Sequence, residues 1–348
     1  MEKLKIGVVG AGNIAQSAHL PAYAKLMDLA EVVAIADINA ERAAQAAEKF
    51  GIPFSFSSVE EMLAGVEVDA VDVCVWNHAH APVAVSAANA GKAVLCEKPM
   101  ADNLQAALYM EREIEKAGVL FMCAMAARFN AEAQALLDLI EQGELGRIYY
   151  VKTSYIRRRG TPVGWFTDTR KSGGGPVIDI GVHNIDCAWY LMGRPKPIRV
   201  SANTWAPHGD YKTRGVSRWI ALDSDVTAFD TEDSASALIH FENGAAMFAE
   251  ASWALNAPDI RYTQICGDKA GATLYPLMIY GENAGHYLTD NSPKVQSNNS
   301  FEAEICHFLQ CVRTSEPVIA PMRDGVMVQR MLQGIYDSAR LGREVLLF

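Results

Sequence analysis

The sequence of 348 residues is half apolar and carries 31 basic against 41 acidic side chains, a formal net charge of -10. One hydrophobic core rarely serves a chain of that length, so two domains are expected. A net negative field opposes polyanions, which excludes nucleic acid and an anionic membrane surface as partners.

From residue 4 to about 124, short β-branched runs alternate with alanine-rich segments of helical length. Residues 6–9, 32–36, 70–75, 93–96 and 119–122 read as strands, and 14–26, 40–50, 81–90 and 103–116 as helices. Continuous apolar strands between helices predict a parallel sheet covered on both faces, a doubly wound α/β domain over 1–124.

The first strand ends in Gly10-Ala11-Gly12-Asn13-Ile14-Ala15, which fits Gly-x-Gly-x-x-Gly/Ala opening a helix. The first glycine allows the tight turn, the second lets backbone approach a pyrophosphate, and Ala15 keeps helix and sheet close. Gly10, Ala11, Gly12, Asn13 and Ile14 are therefore candidate cofactor contacts. Asp37, at the end of the second strand, is placed to accept from ribose hydroxyls, and its charge would repel a 2′-phosphate. No basic residue follows at once, the next being Arg42 and Lys49, so NAD is expected over NADP. The plainer reading of Asp37 is an N-cap for the helix beginning near Ala40.

After a helix over 131–142 the pattern changes to longer, alternating, aromatic-rich strands at 148–157, 198–205, 234–241, 245–253 and 263–267. Turns such as Glu242-Asn243-Gly244 between them predict an antiparallel sheet in an α+β domain spanning 125–348. Helices over 301–313 and 325–341 close the chain, the last free to pack back on the first domain.

Within the second domain, Gly173-Gly174-Gly175 leads to Asp179, His183 and Asp186. On an α-helix these three polar residues share one stripe, which suits a site and equally suits a satisfied Asp-His pair capping a helix. Asp186 lies a turn further along and reads as support. Arg157-Arg158-Arg159, Trp165 and Arg170-Lys171 could form a substrate rim, although each arginine alone also fits a solvated strand end.

Seven scattered cysteines, Cys74, Cys96, Cys123, Cys187, Cys266, Cys306 and Cys311, form no Cys-x-x-Cys pair and read as buried thiols in a reducing compartment. The amino terminus runs straight into a strand without a signal-peptide pattern, and the longest apolar stretch, 117–127, is shorter than the ~20 residues a bilayer needs. A cytoplasmic protein is expected. His78 and His80 lack nearby acids or thiols, and no metal is expected.

With the fingerprint 10–15, Asp37, Glu97-Lys98-Pro99, Gly173-Gly174-Gly175 before Asp179 and His183, and the closing Ser338-Ala339-Arg340-Leu341-Gly342-Arg343, the chain resembles the glucose-fructose oxidoreductase / inositol dehydrogenase / rhizopine catabolism (Gfo/Idh/MocA) family. The resemblance implies a Rossmann domain, a second domain whose large open sheet is used for oligomerisation, and NAD(P)-dependent alcohol/ketone chemistry on sugars and polyols. It places Lys98, Asp179 and His183 in the active site, and it brings the segment after the fourth strand, with Trp76, Asn77 and His80, to the cofactor. Where the family usually has Thr-Pro-Asn, this chain has Val75-Trp76-Asn77. Glu97 then supports local structure or the cofactor.

A neutral imidazole suits the proton of a secondary alcohol, so His183 is assigned as general acid/base. Lys98 would bind and polarise the reacting oxygen, and Asp179 would orient substrate or imidazole. Arg157 and Trp165 complete the expected substrate contacts. The expected partner is a small sugar or polyol, with a homodimer or homotetramer formed through the C-terminal sheet. Two other functions remain: cofactor-assisted glycoside cleavage or epimerisation without net turnover, and a noncatalytic NAD-binding regulator.

Overall fold

The computed structural model describes residues 2–216, 219–222 and 228–348. Six strands, β1 (Leu4–Val9), β2 (Ala30–Ala36), β3 (Phe54–Phe56), β4 (Ala70–Val73), β5 (Ala93–Glu97) and β6 (Phe121–Ala124), form an all-parallel sheet ordered 3-2-1-4-5-6. The order reverses between β1 and β4, the crevice where doubly wound sheets hold ligands at the carboxyl ends of their strands. Every residue of β4 is buried, as expected of a strand covered on both faces.

The intervening helices include α1 (Leu20–Lys25), α2 (Ala40–Phe50), α3 (Val59–Gly65), α4 (Asn77–Asn89) and α5 (Leu104–Ala117). Side-chain caps start several of them: Asn39, Ser58 and Asn103 each accept a backbone N–H from the first turn. Asn39 is thus the cap of α2, and Asp37 is left for another purpose. The first helix departs from expectation: residues Ala15–His19 wind as a π-helix before α1 begins. The helix expected from Ala81 begins at Asn77 and carries Pro82 inside it.

The second unit contains α6 (Ala131–Glu141), the short α7 (Thr169–Ser172), α8 (Val182–Leu191) and a nine-stranded sheet. Its strands are β7 (Ile148–Ile156), β8 (Pro197–Trp205), β9 (Ser234–Phe241), β10 (Ala246–Ser252), β11 (Ile260–Gly267), β12 (Gly271–Leu274), β13 (Met278–Glu282), β14 (Leu288–Asn291) and β15 (Val345–Leu346). Pairing is antiparallel except between β7 and β10, so the sheet is mixed rather than purely antiparallel. Closing helices α9 (Ser300–Thr314) and α10 (Met322–Leu341) bridge the two units, α10 lying against both β8 and α5.

A buried cation ties these parts together. Arg128, on the short 3-10 turn after β6, is fully buried and donates through Nε and Nη2 to Asp186 of α8 at 2.9 and 2.6 Å. Its Nη1 reaches Asp324 of α10 at 2.7 Å and the Ile319 carbonyl at 2.8 Å, while the guanidinium lies 4.7 Å from the Tyr190 ring centre. Arg194 adds a second donor to Asp324 at 2.7 Å. No helix among the described residues is long and apolar enough to cross a membrane, and all seven cysteines are unpaired thiols.

Removing one partner from a buried ion network leaves uncompensated charge, which costs about 3–5 kcal/mol. Arg128→Ala, stranding Asp186 and leaving Asp324 to Arg194, should lower the unfolding free energy by that order in a denaturant titration.

Candidate active site

At the β1/β4 reversal a cleft opens with about 1070 Å³ of space including its mouth. One wall is the turn after β1, with Gly10, Gly12, Asn13 and Ile14. Gly10 has φ +99°, and a Cβ there would run into the Cys74 carbonyl, so only glycine permits this close pass of β1 and β4. At one end of the cleft Asp37 is 6% exposed and accepts from the Ala11 and Asn39 N–H groups at 2.8 Å each. Arg42 adds a two-pronged contact to the same carboxylate at 3.0 and 2.7 Å.

The opposite wall is aromatic and comes largely from the second unit. Trp76 lies under the Lys171 ammonium at 3.9 Å, Trp165 stacks on Phe166 at 3.9 Å, and Trp219 meets Phe166 edge-on at 5.1 Å. Asn13 Nδ2 donates across the mouth to the Ile220 carbonyl at 3.1 Å. A glycine-lined turn on one side, flat aromatic surface on the other and a carboxylate at the end of β2 fit a dinucleotide.

Next to the cleft, β5 ends in Glu97-Lys98-Pro99, and the Lys98–Pro99 peptide is cis. The Lys98 ammonium donates to the Asp179 carbonyl at 2.8 Å and to its carboxylate Oδ1 at 3.3 Å. The other carboxylate oxygen of Asp179 accepts from the Trp253 indole N–H at 3.0 Å. Asp179 sits in a π-helical stretch, Val177–Gly181, that turns into α8. Glu232 receives the Gly175 and Val177 N–H groups at 2.9 and 3.2 Å and the Tyr336 hydroxyl at 3.0 Å, holding the start of this stretch.

The π winding corrects the expected stripe. Where the turns close i→i+5, residues four apart no longer stack. Asp179 therefore points to Lys98 and Trp253, and Asp186 points to Arg128, well removed from the chemistry. His183, half-buried on the first turn of α8, has its pKa driven well below 6.5 by burial and by the charges of Lys98, Arg261 and Arg157. The two arginines flank Tyr155, the Arg157 and Arg261 guanidinium groups each lying 5.1 Å from its ring centre.

Not every expected cofactor contact faces the cleft. Asn77 Nδ2 is buried and donates to the Ser172 carbonyl at 2.7 Å, securing the glycine-rich turn. His80, 1% exposed, sits between the Pro99 and Val75 carbonyls at 2.7 and 3.1 Å and ties the ends of β4 and β5 together. Glu97 is turned inward, accepting the Lys98 N–H at 2.9 Å. Trp165, expected on the substrate rim, lines the cleft beside Trp76 and stacks on Phe166. Arg157 donates to Tyr155 Oη at 3.1 Å. His78 is exposed and pairs with Asp102.

Sequence reasoning missed Trp253, Tyr155, Arg261, Phe166, Trp219 and Glu232, which reach the site only through sheet register and loop packing. No short-range pattern marks them.

Comparison with known proteins agrees with this geometry. Residues 4–125 match an oxidoreductase family with an NAD-binding Rossmann fold, and residues 138–347 match the C-terminal alpha/beta domain of the same family. The chain is 34% identical over 347 residues to D-glucoside 3-dehydrogenase of Escherichia coli strain K12, covering 98% of this chain and 97% of that protein. It is 29% identical over 268 residues to levoglucosan dehydrogenase of Pseudarthrobacter phenanthrenivorans, covering 72% and 68%. A solved levoglucosan dehydrogenase in complex with NADH and levoglucosan superposes with a TM-score of 0.84 at 25% identity, over 99% of this chain and 100% of that one. With both domain types in order over nearly its full length, the chain belongs to the Gfo/Idh/MocA oxidoreductase family.

Proposed function

We propose that this oxidoreductase moves a hydride between a secondary alcohol of a sugar or polyol and NAD, with His183 as the proton acceptor and Lys98 as the group on the reacting oxygen. The observation that carries the reading is the Lys98–Asp179 contact at the carboxyl end of β5, beside the nucleotide cleft and within the electrostatic reach of a neutral His183.

The nicotinamide ring, when bound, supplies the hydride acceptor. Around it the chain has three tasks. Lys98 Nζ, fixed by Asp179, donates a hydrogen bond to the substrate oxygen and stabilises the negative charge that develops as the hydroxyl proton leaves. His183 receives that proton at an imidazole nitrogen, a role open to it because burial and the surrounding cations keep the ring unprotonated. Trp76, Trp165, Phe166 and Trp219 exclude water from the cleft with apolar ring faces. Gly10, Gly12, Asn13 and Ile14 would hold the pyrophosphate, and Asp37 the adenosine ribose. Arg157 and Tyr155 would contact substrate hydroxyls.

The preference for NAD rests on Asp37. Its carboxylate would repel a 2′-phosphate, and Arg42 is already paired to it. The similarity to D-glucoside 3-dehydrogenase and levoglucosan dehydrogenase points the substrate class toward glucosides and anhydrosugars. The face of the nine-stranded sheet carrying Lys152, paired to Glu250 at 3.6 Å, is the surface we assign to self-assembly.

The decisive assay is NADH absorbance against alkyl glucosides, anhydrosugars, inositols and free aldoses. NAD reduction with at least one of them is expected, and silence across all would overturn the reading. His183→Asn should lower kcat by about 10²–10⁴-fold, the usual worth of a positioned acid/base. Because the His183 pKa lies well below 6.5, the base stays neutral as pH falls through that value, so the acid limb of kcat/KM for oxidation should lie below pH 6.5. Asp37→Ser removes the carboxylate that Arg42 answers and should raise the NADP/NAD ratio of kcat/KM by about 10-fold or more, equivalent to about 1.4 kcal/mol.

A further inference from the structure

Beneath the catalytic lysine lies a buried polar cluster that the mechanism does not use. His19, fully buried at the end of the first π-helical stretch, has Nδ1 2.8 Å from Asp72 Oδ2 on β4 and Nε2 2.9 Å from Glu97 Oε1 at the end of β5. Glu97 passes the contact on, its second oxygen accepting the Lys98 N–H at 2.9 Å. The remaining groups facing His19 are the Cys74 thiol at 3.5 Å, the Phe301 ring at 5.9 Å, Glu304 of α9 and the buried Tyr23 hydroxyl, which makes no hydrogen bond.

Charge balance settles the protonation of this cluster. Burial alone would push the His19 imidazole down, but the adjacent Asp72 carboxylate overrides it and holds the ring well above its ordinary value, as a cation. Burial would likewise raise Glu97, and the hydrogen bond and charge of His19 keep it below its ordinary value, as an anion. Glu304 is buried with neither carboxyl oxygen hydrogen-bonded, and burial keeps it neutral. Two carboxylates, Asp72 and Glu97, thus share one imidazolium, His19. His19, Asp72 and Cys74 also bring ligand-type atoms within 4.8 Å of one another. A metal needs deprotonated ligands, and here both imidazole nitrogens meet carboxylates while burial keeps the thiol protonated, so the set is a hydrogen-bonded ion cluster.

We infer that His19 is a positioning residue for catalysis: by answering the charge of Glu97 it leaves the Lys98 ammonium to Asp179 and to the reacting oxygen. Without the imidazolium, Glu97 would be a buried carboxylate with one cation in reach, the side chain of its own neighbour. Lys98 would then be drawn back toward Glu97, or Glu97 would take up a proton and rearrange its bond to the Lys98 N–H. Either change displaces Nζ, and a shift of ~1 Å at a reacting group can cost about 10²-fold in rate. The inference rests on the proposed role of Lys98.

The test is His19→Gln in the NAD-bound enzyme, with the near-isosteric Glu97→Gln as the variant that preserves shape if the first does not accumulate folded. Three readouts are taken: kcat and KM, the dissociation constant for NADH by fluorescence, and the Lys98 Nζ to Asp179 O separation in crystals of each variant. The expected result is a kcat loss of about 10²-fold with KM and NADH affinity within about 2-fold. The double variant should lose no more than the worse single one, because both act through Lys98. The crystals should show Nζ withdrawn from its 2.8 Å contact with Asp179. A folded variant with unchanged kcat and Lys98 in place overturns the inference, as does a loss confined to NADH affinity. The crystallographic arm separates the two readings: a displaced Lys98 in an enzyme that oxidises no sugar would sustain the role of His19 and sink the proposed reaction.

Discussion

Lys98 stands where two charge systems meet. One reaches it through its side chain, from Asp179 and the Trp253 indole behind that carboxylate. The other reaches it through its backbone, from Glu97, His19 and Asp72. Each is delivered by a π-helical stretch, Ala15–His19 on the nucleotide side and Val177–Gly181 on the substrate side. A π turn shifts the register of the side chains that follow it, so a polar group can be aimed inward from a helix whose other residues follow a different face. In both places the gain is a charged contact at the end of β5, and the rest of the site is arranged around that strand end.

The same strand end depends on the joint between the two sheets. Lys98 belongs to the parallel sheet, whereas Asp179 and His183 belong to the helix packed on the mixed sheet. Their alignment requires the two units to be held without play. Arg128 supplies part of that rigidity by joining the turn after β6 to α8 through Asp186 and to α10 through Asp324. A buried ion cluster of this kind adds little net stability over apolar packing, but it admits few alternative arrangements, because each buried charge must keep its partner. Asn77 does similar work on a smaller scale, fastening the glycine-rich turn before Asp179 to the start of α4.

Electrostatics divides the histidines by their surroundings. His19 is enclosed by carboxylates and is held charged; His183 is enclosed by Lys98, Arg157 and Arg261 and is held neutral. Burial lowers both imidazoles, so the sign of the neighbouring charges separates them. The first state suits a permanent ion pair. The second suits a group that must pick up a proton and give it back.

Local chemistry alone determined much of this protein. The alternation of apolar runs and alanine-rich segments specified the parallel sheet, because a strand covered on both faces must be apolar throughout. Gly10, Gly12 and Asp37 marked the nucleotide turn, since the close pass of β1 and β4 leaves no room for a Cβ at Gly10. Lys98, Asp179 and His183 stood out as a set only through the family resemblance that their motifs carry. Short strands such as β3 and β12 to β14 escaped notice because three to five residues carry too little periodic signal. What tertiary structure decided was orientation. Asp179 and Asp186, alike on a helical wheel, were sent to different partners by a π turn; Trp165 lines the cleft, stacked on Phe166; and His80 and Asn77 were taken up by backbone carbonyls. A side chain's direction is set by contacts distant in sequence, and those arise only when the two sheets have packed.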